Sequence, residues 1–161
     1  MKLNELMDRS VEYEILENNS RTFEARAIID DRAFHFLAEY KLGLYNHHKI
    51  GPGGPYWVLT FSEEDEHDRY YDKTGKGGEM QVLSFVASMT KKFLEKYDPD
   101  VVRFAADKDE NKKDNRASVY RKLAKKLFTE YDAFEGPKKY ANGGDYVFST
   151  DFAFVKKGLE V

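Results

Sequence analysis

The sequence has no cysteine, no long apolar run, no internal repeat and no linker-like stretch. Without thiols there can be no disulfide framework, no thiolate metal cluster and no cysteine nucleophile, and a reducing compartment is expected. No segment approaches the roughly 20 consecutive apolar residues of a membrane helix. The opening residues Met1–Asp8 are charged and amphipathic and lack the apolar core of a signal peptide, so the expected location is cytoplasmic rather than secreted. Excess charge of one sign is also missing. Twenty-six basic side chains face 29 acidic ones, a net charge of −3, which excludes a globally basic nucleic-acid coat but leaves room for a local basic face.

What is present is enough apolar material for a core. Hydrophobic residues make up 41% and aromatics 15% of 161 residues, which rules out disorder throughout. A chain of this size suits one domain and can bury roughly 70% of its extended surface.

The first third alternates with a period of two, the spacing of half-buried strands. Val11, Tyr13 and Ile15 alternate with Glu12 and Glu14. Phe23, Ala25, Ala27 and Ile29 alternate with Glu24, Arg26 and Asp30, and Phe34, Phe36, Ala38 and Tyr40 with His35 and Glu39. Asn18-Asn19-Ser20 and Asp30-Asp31-Arg32 carry turn chemistry between them. The pattern predicts an N-terminal part, residues 1–45, built as an antiparallel meander with one wet face, and an N-terminal helix ahead of its first strand. Gly51-Pro52-Gly53-Gly54-Pro55 interrupts regular structure, and Tyr56–Ser62 reads as a fourth strand with Trp57, Leu59 and Phe61 on one face.

The period then becomes helical. From Gly78 to Tyr97, residues Leu83, Val86, Ala87, Thr90, Phe93, Leu94 and Tyr97 recur at spacings of three and four, until Asp98-Pro99-Asp100 stops the helix. Val101–Ala106 fits a buried strand. A second helix carries Ala117, Tyr120, Leu123, Ala124, Leu127 and Tyr131 on its apolar face. A long connection containing Asn142-Gly143-Gly144-Asp145 leads to a last strand, Tyr146–Val155, with Tyr146, Phe148, Phe152 and Phe154 on one face. The expectation is one α+β domain over 1–161 with a mixed, mainly antiparallel sheet, in the order (α)-β-β-β-β-α-β-α-β. Its fourth strand, first long helix and fifth strand would form a right-handed crossover.

Thr74, Gly75, Lys76, Gly77 and Gly78 stand between a strand and a helix. Glycines let backbone N–H groups turn toward a ligand and the helix start adds partial positive charge, a combination suited to phosphate. An ordinary flexible entry loop is the competing reading, since neither a P-loop nor a dinucleotide fingerprint follows. On the second helix Arg116, Arg121, Lys122, Lys125 and Lys126 form a basic stripe, read as a solvated face or as a weak, salt-sensitive phosphate contact. The adjacent pair His47-His48 diverges on any regular element, and the acidic run Glu63–Asp68 with His67 lacks the spacing and glycine of an EF-hand loop, so no metal site is expected.

Taken together, the glycine loop opening a long helix, the crossover strand, and a later helix bearing Asn115, Arg116, Ala117 and Tyr120 resemble the central part of GCN5-related N-acetyltransferases, over 56–155. That resemblance implies binding of the acetyl-CoA pyrophosphate by Thr74–Gly78 and a proton-donating role for Tyr120 toward the departing thiolate. The sequence departs from the family in Asp72, three residues before Gly75, where Gln or Arg is usual, and in Ala124-Lys125 where Gly-Phe is usual.

A second likeness spans nearly the whole chain. Lys2-Leu3-Asn4-Glu5-Leu6, Phe61-Ser62, Thr74-Gly75-Lys76-Gly77, Phe104-Ala105-Ala106-Asp107 and Arg116–Leu123 are similar to uncharacterised tailed-bacteriophage proteins. It implies action in the cytoplasm of an infected cell or in a virion, with a host or virion protein as partner. The reading favoured at this point is a non-catalytic accessory protein. The alternatives are an acyl-CoA-dependent N-acyltransferase using Tyr120 and weak nucleic-acid binding through the basic helix.

Overall fold

The computed structural model describes residues 11–42, 54–63, 79–108, 116–142 and 145–158. It is an α+β fold whose seven strands are β1 (Tyr13–Asn18), β2 (Thr22–Ile29), β3 (Arg32–Lys41), β4 (Tyr56–Glu63), β5 (Val101–Lys108), β6 (Tyr131–Asn142) and β7 (Asp145–Lys156). Two helices join them, α1 (Glu79–Tyr97) and α2 (Arg116–Leu127). The strands follow the order β1-β2-β3-β4-β5-β7-β6 in one sheet. The predicted N-terminal helix and the Gly51–Gly53 part of the interrupting run lie outside the described residues.

Residues cluster into two compact units, Met1–Tyr40 with Val58–Asp98, and Lys41–Trp57 with Pro99–Val161. In the first, alternation sets the register. Phe23, Ala25, Ala27 and Ile29 on β2 and Phe34, Phe36 and Ala38 on β3 are buried, while Glu24, Arg26, His35 and Glu39 take the opposite face. The β2–β3 connection is the two-residue turn Asp30-Asp31 between the paired Ile29 and Arg32. Both turn residues have positive φ, 52° and 61°, as the twist of a two-residue hairpin requires. At the β1–β2 turn the Asn19 side-chain oxygen accepts from the backbone N–H groups of Arg21 and Thr22 at 3.0 and 2.9 Å.

Helix α1 buries more than the predicted stripe. Every residue from Val82 to Ala87 is buried, as are Met89, Thr90 and Phe93, whereas Leu94 and Tyr97 are half-buried. The contiguous row Val82, Phe85, Val86, Met89 and Phe93 has helical spacing of its own, so two adjacent stripes are covered. Buried Thr90 satisfies its hydroxyl by donating to the Val86 carbonyl, 2.7 Å away on the preceding turn. The last turn of α1 is pinned to the β1–β2 hairpin. The Tyr97 hydroxyl lies 2.7 Å from Asn18 Oδ1 and 2.8 Å from the Asn19 carbonyl, both acceptors, and its ring packs edge-on against Phe23. Asp98 then adopts φ 44° and donates its N–H to the Leu94 carbonyl, so the chain leaves the helix just before Pro99.

In the second unit β5, β7 and β6 form an antiparallel group, and Phe152–Val155 of β7 are buried on both faces. Phe128 stacks on Phe154 with ring centroids 4.1 Å apart, and Phe104 stacks on Phe152 at 4.8 Å. The structure adds one strand to the predicted order. Residues expected as a long connection form β6, which pairs with β7 along its whole length, from Tyr131 opposite Lys156 to Asn142 opposite Asp145. Tyr131 accordingly belongs to β6 and not to the helix face. Helix α2 ends at Leu127, and Phe128 takes the buried position that Tyr131 was expected to fill.

Candidate functional site

The residues that carried the phosphate-cradle expectation, Thr74, Gly75, Lys76, Gly77 and Gly78, lie outside the described residues, as do His47, His48, the run from Glu64 to Asp68, Asp72 and Asn115. The described part of helix α1 begins at Glu79. Tyr120 and Arg116 belong to α2, and nothing is described of their side chains.

Four members of the basic stripe have described side chains. Arg121, Lys122, Lys125 and Lys126 are exposed, while Leu123 and Ala124 on the same helix are buried. Arg121 is committed to an intramolecular partner. Its Nε donates to both carboxylate oxygens of Glu135 on β6, at 3.0 and 2.8 Å. That hydrogen bond, more than the accompanying attraction between the charges, raises the pKa of a guanidinium that is already permanently charged. The three lysines have no acidic residue in the first turn of the helix to oppose them, and Lys125 and Lys126 stand in its last turn, where positive charge complements the helix dipole. This arrangement accounts for the stripe as a solvated helix face.

Sequence reasoning expected β1 to be half-buried, with Tyr13 and Ile15 on a covered face. All six of its residues are exposed instead. Strand β1 stands at one end of the sheet order, and among the described residues it pairs with β2 alone and no strand lies beside its outer backbone edge. Tyr13, Ile15 and Leu16 are 39%, 42% and 42% exposed, an unusual concentration of apolar surface on one short strand. Alternation does put Tyr13 and Ile15 on the face of the buried β2 row, and the end position of β1 in the sheet leaves them exposed among the described residues.

The wet face of the β1–β3 meander carries more carboxylates than cations, Glu14, Glu17, Glu24 and Glu39 against Arg26 and Lys41, with His35 beside Glu24. Glu14 lies 3.7 Å from Arg26 across the β1–β2 pair, and Glu24 lies 3.5 Å from His35 across β2–β3. Glu17 stands directly opposite Glu24 in the register. Like charges placed opposite each other on neighbouring strands repel, and this pair is built into the hairpin. Beneath the covered face, Phe34, Phe61, Val82, Phe85 and Val86 line a narrow apolar crevice that has no room for a water molecule, so it is packing and not a ligand pocket. Among the described residues no group of three or more His, Asp or Glu is arranged to hold a metal ion, and no helix is long and apolar enough to cross a membrane. Comparison of the sequence with protein-family models and with curated proteins finds no match.

Proposed function

We propose that this chain is a non-catalytic accessory protein that works by binding another protein, in the manner of a bacteriophage protein directed at a host or virion component. The observation that supports this most is β1, an end strand with every residue exposed and three large apolar side chains among them. Exposed backbone at a sheet edge is a ready template for pairing with another chain, and apolar side chains beside it supply surface to bury. The test is a melting experiment with acetyl-CoA combined with an assay for acylation of amines. Neither a shift nor turnover is expected. A ligand at a hundredfold excess over its Kd stabilises the native state by about 2.7 kcal/mol, which raises Tm by several degrees in a chain of this size, so such a shift would overturn the reading.

The N-acyltransferase reading is supported by a different observation, the β4-α1-β5 order of elements, with Thr74–Gly78 falling between β4 and α1 in the sequence. In that case Tyr120→Phe lowers turnover by about 10²-fold or more with CoA binding retained, as removal of a general acid does. Unchanged turnover would take Tyr120 out of that role.

A further inference from the structure

We propose that β1 receives a short extended segment of the partner protein as an added strand, and that this segment alternates apolar with basic side chains. The inference rests on the accessory-protein reading and names the chemistry of its partner. Residues of an added strand project alternately to the two faces of the sheet, so each face of β1 specifies half of them.

On one face Tyr13 stands opposite Ala27 and Ile15 opposite Ala25, in line with the buried row of β2. Lys92 of α1 reaches over the Tyr13 ring at 5.8 Å. The apolar layer thus continues to the outermost strand, where Tyr13 and Ile15 remain 39% and 42% exposed and Lys92 is the neighbour over the Tyr13 ring among the described residues. Apolar side chains on an incoming strand extend that layer and bury Tyr13 and Ile15.

The other face sets the charge. Glu14 and Glu17 of β1 share a face with Glu24 of β2, and Glu17 stands opposite Glu24 in the register, with Asn19 donating to Glu17 and His35 beside Glu24, each at 3.5 Å. Arg26 contacts Glu14 at 3.7 Å, with Glu14 still 62% exposed. A lysine or arginine on an incoming strand meets this carboxylate excess and relieves the Glu17–Glu24 repulsion, whereas an acidic segment adds to it. The same charge argues against a second copy as occupant, because self-pairing through β1 would set carboxylates beside carboxylates.

The two end strands differ in how they are guarded. Strand β6 carries Gly136, Pro137, Lys138 and Lys139, and proline and lysine are the usual means of blocking edge pairing. Strand β1 has neither residue type; its guards are its six-residue length, its two glutamates and a register shift, and the charge of those glutamates repels acidic strands but not basic ones. The register shift between Ile15 and Glu17 interrupts the regular edge, so it selects a short segment, on the order of four to six residues.

The experiment uses the full chain and fluorescent peptides of about eight residues, alternating valine with lysine or valine with glutamate, read by anisotropy. The valine–lysine peptide is expected to bind. Its affinity should fall on the order of tenfold in the Glu14→Lys/Glu17→Lys variant and again when salt rises from about 0.05 to about 0.5 M. N-methylation of alternate peptide amides should abolish binding, and hydrogen-exchange protection gained on binding should fall on β1. Failure of the valine–lysine peptide to bind, equal binding of the glutamate peptide, persistence of binding after N-methylation, or protection confined to other elements would each overturn the proposal. Acyl-CoA turnover would sink the accessory-protein reading itself. Absence of peptide binding without any acyl-CoA response would remove only this partner chemistry.

Discussion

Tyr97 links the end of α1 to the first hairpin through one hydroxyl, and that makes it the most informative polar side chain among the described residues. Replacing it with phenylalanine keeps the ring contacts with Phe23 and Phe93 but removes the donor to Asn18 and Asn19. Tyr97→Phe should lower stability by about 1 kcal/mol, measured by urea unfolding near neutral pH. Burial raises the Tyr97 pKa above its ordinary value of 10.0. The folded state thus holds the phenolic proton after the unfolded chain has lost it. The resulting stability is complete below pH 10.0, the unfolded value, and is lost as pH rises toward the folded pKa. Alkaline destabilisation should therefore be shallower in Tyr97→Phe than in the parent, and equal slopes would refute the linkage. At the β2–β3 turn, Asp31 holds φ 61°, where a side chain is strained and glycine is not. Asp31→Gly should raise stability by about 0.5–1 kcal/mol, seen as a Tm increase of a few degrees.

At the scale of elements, the α2–β6 link tests how much an exposed ion pair matters. Arg121 and Glu135 side chains are 43% and 44% exposed, so solvent screens their interaction despite the short contacts. Glu135→Gln should cost no more than about 0.5 kcal/mol in urea unfolding. A larger loss would mean that the pair anchors β6 to the helix. The elements most legible in the sequence were those whose burial follows a single period. Phe23, Ala25, Ala27 and Ile29 were placed on one face by alternation alone, and the stop of α1 was readable from Pro99. Strand β6 was hidden because Gly136-Pro137-Lys138-Lys139 reads as a loop, and an end strand tolerates a proline that a central one does not. The exposure of β1 was illegible for another reason. Alternation reports which side chains share a face, but sheet order decides whether anything covers that face. Thr74–Gly78 was legible as a motif in the sequence, and it lies outside the described residues.

At the scale of the whole molecule, the two units interleave along the chain. The second unit takes Lys41–Trp57 from the amino-terminal half, and β4 is divided between the units at Trp57 and Val58. Arg103 of β5 sits over the Tyr56 ring at 5.3 Å, one contact that a carboxy-terminal fragment cannot make. A fragment of residues 99–161 should consequently lack a cooperative thermal transition, as judged by circular dichroism, because a chain of about 60 residues is already marginal. A sharp transition in that fragment would show that the borrowed segment is dispensable.

The distance in sequence between the first meander and the helix that covers it sets a condition on synthesis. Phe23, Phe34 and Phe36 leave the ribosome well ahead of Phe93 and Tyr97. At elongation rates of about 5–20 residues per second, the aromatic side of the nascent hairpins stays wet for several seconds. A chaperone that shelters short aromatic stretches during translation would therefore be expected to raise the yield of native protein, and slowing elongation before residue 79 would lower it.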